Sequence, residues 1–335
     1  KEAGVACVDL FHPSLELFKA SPTPLTINGV HLTEDGNRQL AEVIAKTVLG
    51  KTVASSGSME PLRQAVVDKS YHWNNRYRAR DGNDVWGGRS TLAFVNDQTN
   101  AVVLQHELSM LDVMTMNRDA RVWAVAEGKE HMIDDSNVPK PVEVISNVGG
   151  GSKSSSAMKE GKLEYISGEE GIKHMAVAEG FEVSLFADEA QFPQLVNPVQ
   201  MQFDTKGRLW VAVWPTYPKW EPLKEMDDAL VIVHDDNNDG KAEFARVQNP
   251  LGFEFWNGGV IVTCTPEILF LKDTDGDDVA DVRIIMLQGV DSSDTHHGAN
   301  NLIYGPDGAI YWQSGVFMQH NHEHPWGSSL QAAAS

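Results

Sequence analysis

The feature that most constrains the fold is an internal repeat in the C-terminal half of the chain. The segments LVIVHDDNNDGKAEFARV, which starts at Leu230, and ILFLKDTDGDDVADVRII, which starts at Ile268, align without gaps at an offset of about 38 residues. A second pair repeats as FDTKGRLWVAV from Phe203 and YGPDGAIYWQS from Tyr304. Periods near 40 residues with several strands in each unit are the signature of β-propeller blades. The repeat predicts an all-β, partial β-propeller over residues 167–335.

Short apolar runs around the repeat support antiparallel strands. They are separated by turns rich in Gly, Pro, Asn and Asp, and read FEVSLFA, VQMQFD, GRLWVAVW, ALVIVH, GGVIVTC, EILFLKD, NNLIYG and AIYWQSG. Only about two and a half blades fit before Ser335, and closure of a ring typically needs at least four. We therefore interpret the sequence as a fragment of a longer chain, which its start at Lys1 rather than at a Met also favours.

The N-terminal half has a different organisation, so the sequence predicts a multidomain protein. Residues 1–50 have an α/β pattern, with a strand over residues 5–11 and an amphipathic helix that Thr33 caps. Residues 51–145 predict a helical insert. One helix is expected on each side of an irregular aromatic stretch over residues 71–91. Residues 146–166 are rich in Gly and Ser and predict a linker.

Charge and cysteine content exclude several classes of protein. The formal net charge of -20 argues against a nucleic-acid partner, because binding to phosphates needs a basic surface. Cys7 and Cys264 are the only cysteines, so there is neither a disulfide framework nor a Cys-x-x-Cys-His haem attachment motif. No run of about 18 apolar residues is present to form a transmembrane segment.

The repeated acidic loops are candidate calcium sites, because hard cations prefer several oxygen ligands. An EF-hand would need a Glu at the twelfth loop position, where the two loops carry Arg246 and Ile284. The alternative is that both loops are ordinary hairpin turns that need no metal. The candidate ligands are Asp235, Asn237, Asp239 and Glu243 in the first loop and Asp273, Asp275, Asp277 and Asp281 in the second.

The VDLF run, the NGVHLTEDG loop and the helix after it resemble the C-terminal end of SGNH (GDSL-like) hydrolases. The resemblance implies that His31 is the base of a catalytic triad in a carbohydrate esterase. Asn28 stands where the family has the acid, and an amide orients an imidazole but does not stabilise its charged form. The nucleophile block of the family does not occur in this chain, so the alternative is that His31 is an ordinary loop histidine.

The segments SGEEGIKHMAVAEGFEVSLFADE, FDTKGRLWV, DTDGDDVADV and DTHHGANNLIYGPDGAIYWQSGVF resemble a family of PVC-type haem-binding or membrane-bound dehydrogenase-like proteins. The propeller of that family is similar to glucose and sorbosone dehydrogenases. In these enzymes a histidine eight residues before a Gly-Pro-Asp turn is the general base beside pyrroloquinoline quinone. The matching residue is His297, before the turn at Gly305, and His296 is its neighbour. The alternative is a polar loop that enters a strand.

The resemblance implies a secreted protein, periplasmic or extracellular, that oxidises a sugar or alcohol and passes electrons to a quinone or haem. The implied cofactors are pyrroloquinoline quinone and calcium, with haem c in a C-terminal region outside this chain. We expect the fragment itself to be inactive, because too few blades are present to close the channel. The alternatives are a non-enzymatic propeller that binds carbohydrate or protein, and an esterase acting through the SGNH-like half.

A histidine cluster near the C-terminus is a candidate transition-metal site, because imidazole and carboxylate groups suit zinc or copper. The alternative is that these side chains bind no metal. The cluster comprises His320, His322, Glu323 and His324.

Overall fold

The computed structural model shows a multidomain chain with a helical N-terminal part and a C-terminal part made of antiparallel sheets. None of its helices combines the length and apolar character that crossing a membrane requires, in the ranges that the structure describes. Those ranges are 7–26, 29, 31–52, 57–77, 82–95, 98–142, 166–217, 222–233, 241–247, 250–291, 297–315, 318, 321–324 and 327–330.

The first two helices are α1 (Phe11–Ala20) and α2 (Glu34–Leu49). Thr33 caps α2 as predicted, because its side-chain oxygen accepts a hydrogen bond from the Gly36 N–H at 3.0 Å.

The strand expected over residues 5–11 is wrong. Residues 7–10 form no strand, and α1 begins at Phe11. The reason is local: the Asp9 carboxylate accepts hydrogen bonds from the N–H groups of Phe11 and His12 and so supports the first helical turn. The regular secondary structure among the described residues of 1–50 is therefore helical, apart from one isolated bridge between Thr26 and Leu32.

The helical insert is built on two long antiparallel helices, α3 (Glu60–Tyr77) and α5 (Asn100–Ala126). Four ion pairs cross between these helices among the residues that the structure describes. They are Lys69 with Asp119, Arg76 with Asp112, and Asp68 with both Arg118 and Arg121. Because α3 continues through Tyr77, the first part of the aromatic stretch is helical rather than irregular. Short elements lie beside these helices: a 3₁₀ turn (Gly57–Met59), α4 (Gly82–Val85), β1 (Ala93–Val95) and β2 (Gln98–Thr99).

The C-terminal part opens with α6 (Gly168–Lys173) and contains two larger sheets and a hairpin, none of which closes within the described residues. The first sheet is a four-stranded meander of β3 (Pro198–Phe203), β4 (Leu209–Val213), β5 (Ala229–Val233) and β6 (Lys241–Arg246). The second begins as a meander of β7 (Pro250–Trp256), β8 (Gly259–Cys264), β9 (Glu267–Lys272) and β10 (Val282–Gln288). The hairpin comprises β11 (Asn300–Tyr304) and β12 (Ile310–Gln313), while β13 (Asn321–His324) and β14 (Gly327–Leu330) extend the second sheet beyond β10.

The three β-units stack face to face. On β4, Trp210 and Ala212 face the second sheet, and the alternate residues, such as Val211, face away from it. On β8, Val260 faces the first sheet, whereas Ile261 faces the β11–β12 hairpin. This alternation explains why these strands are apolar throughout, since both faces of each sheet are covered.

Seven of the eight apolar runs form strands, and FEVSLFA does not. Residues 181–187 have no sheet partner, and Phe181 is 78% exposed. Ala187 packs against the first sheet together with Phe192 and Leu195, so this segment covers the sheet as a loop.

Candidate functional site

The predicted acidic loop and the predicted catalytic histidine lie at opposite ends of the stacked sheets. β11 runs alongside β7 in the same direction, because Gly252 approaches the backbone of Asn301 while the Tyr304 hydroxyl donates to the Phe255 carbonyl. His297 therefore lies at the end where β7 and β11 begin. The acidic loop over residues 273–281 lies at the other end, because β10 runs from that loop toward the His297 end. Seven strand residues separate the two ends, roughly 20 Å.

The acidic loop is organised by two of its own carboxylates. Asp273 accepts hydrogen bonds from the backbone N–H groups of Asp275 at 3.1 Å, Gly276 at 2.6 Å and Asp278 at 3.0 Å. Asp281 closes the loop, because it accepts from both the N–H and the hydroxyl of Thr274 at 2.7 Å. These contacts hold the turn before β10.

Three of the predicted ligands come together: Asp273, Asp275 and Asp281 each place a carboxylate oxygen within 4.8 Å of the others. Asp277 is outside this group, and its carboxylate accepts from the Val279 N–H at 2.8 Å. Oxygen ligands at this spacing suit a hard divalent cation such as calcium.

The pKa values of Asp273 and Asp275 are shifted in opposite directions by their surroundings in the loop. Hydrogen bonds, the largest from the Gly276 N–H, lower the pKa of Asp273. Repulsion from Asp277, and then from Asp281 and Asp273, raises the pKa of Asp275. A cation bound at this loop would therefore offset more charge repulsion at Asp275 than at the other carboxylates.

Arg208, which sequence reasoning missed, joins the first sheet to the acidic loop. Its guanidinium pairs with Asp204 in its own turn at 2.8 Å and with Asp278 of the loop at 2.5 Å. Burial alone would raise the pKa of Asp204, but hydrogen bonds from Trp210 and Arg208 outweigh it and the pKa lies below its ordinary value. The contact fixes the loop against the neighbouring sheet. No sequence signal pairs residues 70 positions apart.

His297 is half-buried and is held by Gly315, two residues after the end of β12. The Gly315 N–H donates to the His297 carbonyl at 2.8 Å. A Cβ on Gly315 would lie 2.5 Å from the His297 Cβ and 2.9 Å from its carbonyl oxygen, so only glycine fits without a shift. This gives the backbone of His297 a defined position at the entrance to β11.

A buried carboxylate lies at the same end of the first sheet and was also missed. Asp228 is 0% exposed at the start of β5, and its carboxylate accepts from both the N–H and the hydroxyl of Thr216. It thereby fixes the loop between β4 and β5 at the end that carries His297. An Asp before an apolar run has no distinguishing pattern in sequence.

Residues 167–332 match the model of a family described as a domain of unknown function (DUF7133). A search of curated proteins found no match. The matched residues cover the α6 helix and all of the stacked sheets. The family description names no activity, so a function has to be argued from the geometry of these sheets.

Several other predicted site residues lie where the structure gives no site geometry. His31 is exposed on the loop before α2. Glu243 lies in β6, but its side chain is outside what the structure describes. The predicted site residues that lie outside the described ranges are Asn28, Asp235, Asn237, Asp239, His296 and His320.

Of the C-terminal histidine cluster, the structure describes the side chain of His322. Its ring meets Trp312 edge to face, with ring centroids 5.5 Å apart. Glu323 and His324 lie in β13, with side chains outside the described set. This contact gives His322 a packing role against the hairpin.

The segment that carries His297 offers no cationic side chain to pyrroloquinoline quinone. The cofactor carries three carboxylates and needs cationic partners. Neither Lys nor Arg occurs after Arg283 in the sequence, so the segment that carries His297 supplies none.

Proposed function

We propose that the stacked sheets are blades of a β-propeller and that the end carrying His297 oxidises a sugar or alcohol. The observation that carries the proposal is the placement of His297 at the entrance to β11, fixed by Gly315, where the first strands of successive sheets begin side by side. In a propeller the first strand of each blade lines the central channel, and the mouth of such a channel is a frequent binding site. The resemblance to dehydrogenase-like propellers supports the same assignment.

The chemistry assigned to His297 is acceptance of a proton. Oxidation of an alcohol breaks the O–H and the carbinol C–H bonds, so the proton goes to a base and the hydride to an electron acceptor. The imidazole of His297 takes the hydroxyl proton, and a quinone bound by other residues would take the hydride. Carriers of the haem class would then receive the two electrons from the reduced quinone one at a time. The protein would act in the periplasm or outside the cell.

The acidic loop has a separate, structural role in this proposal. A calcium ion held by Asp273, Asp275 and Asp281 would lie at the far end of the sheet from His297. It would stabilise the β9–β10 turn and its contact with Arg208 rather than touch a substrate.

The test is a dye-linked oxidation assay of the intact gene product, with added quinone and calcium, that compares the native protein with His297→Ala. Loss of turnover with intact sugar binding supports the proposal. Unchanged turnover would favour a propeller that only binds carbohydrate or protein.

A further inference from the structure

A cavity of about 360 Å³ lies between the helical part, at α3 and α5, and residues 222–226 of the loop between β4 and β5. This volume is in the range of small-molecule sites, which begin at about 300 Å³. One wall includes Asp68, Tyr71 and His72 of α3 and Arg118 of α5. Asp135, in the segment after α5, completes that wall.

Arg118 is 9% exposed and only partly engaged by protein groups. Its Nε donates to Asp68 at 3.1 Å, and its Nη1 donates to Asp135 at 3.1 and 3.2 Å and to the Met114 carbonyl at 3.1 Å. Its Nη2 makes no hydrogen bond within the part of the chain that the structure describes. One edge of a buried guanidinium is therefore available to a ligand.

His72 is 7% exposed and offers the complementary group. Its Nδ1 lies 2.9 Å from the Asp68 carbonyl oxygen, which can only accept, so Nδ1 carries the proton of the neutral ring. Nε2 is then an acceptor, and it has no hydrogen bond among the described residues. The cavity wall thus presents a free donor and a free acceptor.

The charges around the cavity select a neutral ligand. Asp68 and Asp135 are balanced by Arg118 and by Arg121, whose Nη1 lies 3.4 Å from Asp68. On the opposite wall Lys224 and Glu225 also balance. A carboxylate or an ammonium ligand would add an unmatched charge to this partly buried cluster, and that is unfavourable. A hydroxyl group adds no charge and can both donate and accept.

We propose that this cavity binds a small neutral polyol through two adjacent hydroxyls. One hydroxyl accepts from Arg118 Nη2, and its neighbour donates to His72 Nε2. The ring of Tyr71 covers the apolar face of the ligand.

The test is isothermal titration calorimetry of the full chain with myo-inositol, and with acetate and ethylammonium as charged comparators. We expect binding of myo-inositol and a Kd for each charged comparator at least about tenfold higher. His72→Leu removes the acceptor and should raise the Kd for myo-inositol about fivefold. His131→Leu, at an exposed histidine outside the cavity, is the matched control and should leave the Kd unchanged.

A second variant keeps the test decisive if His72→Leu does not fold. Leu223→Trp fills the cavity from the opposite wall and touches none of the ion pairs, so it should also weaken myo-inositol binding at least fivefold, or about 1 kcal/mol. The proposal is overturned if the native protein does not bind myo-inositol, if acetate binds equally well, or if Leu223→Trp leaves binding unchanged.

Discussion

The side chain of Gln200 hydrogen-bonds both backbone groups of Phe253. Its Nε2 donates to the Phe253 carbonyl at 2.9 Å, and the Phe253 N–H donates to its Oε1 at 2.6 Å. The amide thus joins β3 of the first sheet to β7 of the second. Since Phe253 is 0% exposed, these two backbone groups depend on Gln200 as a partner.

Replacing Gln200 with Ala should destabilise the stack by about 2 kcal/mol, because it leaves a buried donor and a buried acceptor without partners. Urea unfolding measures the free energy. Gln202→Ala is the matched control on the same strand. The Gln202 side chain hydrogen-bonds the side chain of Glu254, at 3.3 Å, rather than a buried backbone group, so the change should cost under about 1 kcal/mol. Equal effects of the two changes would contradict the bridging role of Gln200.

Calcium should raise the melting temperature of the native chain, and Asp275→Asn should abolish that rise. Without calcium the variant should melt no lower than the native chain, because Asp277 and Asp281 repel the Asp275 carboxylate. Thermal melting with and without calcium measures both effects. Glu179→Gln, at an exposed acid outside the loop, should keep the calcium response. A native chain that shows no response would mean that the loop is a plain turn.

Gly315→Ala should displace His297, because the new Cβ would lie 2.5 Å from the His297 Cβ. We expect a loss of about 1–3 kcal/mol in unfolding free energy and, in the intact gene product, a fall in kcat larger than any change in KM. Gly57→Ala is the control, since nothing lies within 4 Å of a Cβ there. Native-like kcat in Gly315→Ala would argue against a precise position for His297.

The helical insert should lose stability as the pH falls below about 6.5. Burial lowers the pKa of His72 below its ordinary value of 6.5, and the positive charge of Arg118 acts in the same direction against the opposing effects of Asp68 and Asp135. Between the folded pKa and 6.5 the unfolded chain binds more protons, so stability decreases with falling pH there and is constant above it.

Urea unfolding across that pH window, followed by helical circular dichroism, measures the decrease. His72→Gln should flatten it, while His131→Leu should leave it unchanged. A native slope that persists in His72→Gln would assign the effect to another group.

Much of the strand-rich part could be predicted from sequence because its strands carry strong local patterns. The runs LWVAV and ALVIV are apolar at every position, and both faces of these strands are buried. Each of the two aligned segments also contributes a pair of antiparallel strands, β5 with β6 and β9 with β10.

The positions of the candidate sites could not be predicted, because they depend on elements with weaker patterns. β7 begins with Pro250 and includes Gly252 and Glu254, and β10 begins as Val-Arg, so neither was recognised as a strand. Without β7 and β10, the sequence pattern does not determine in which direction each strand runs. It therefore does not predict that His297 and the acidic loop lie at opposite ends of the sheets. The Asp68–Arg118 pair depends on how α3 packs against α5, which no local pattern contains.

The role of His297 as proton acceptor is tested most directly by an oxidation rate. The rate is that of the intact gene product carrying His297→Ala, measured with a dye acceptor over a panel of sugars and alcohols. Loss of a general base should lower kcat by about 10²- to 10⁴-fold while sugar binding persists. His174→Ala, at an exposed histidine at the end of α6, should retain full activity. Native turnover in His297→Ala would contradict the assignment of His297 as the proton acceptor.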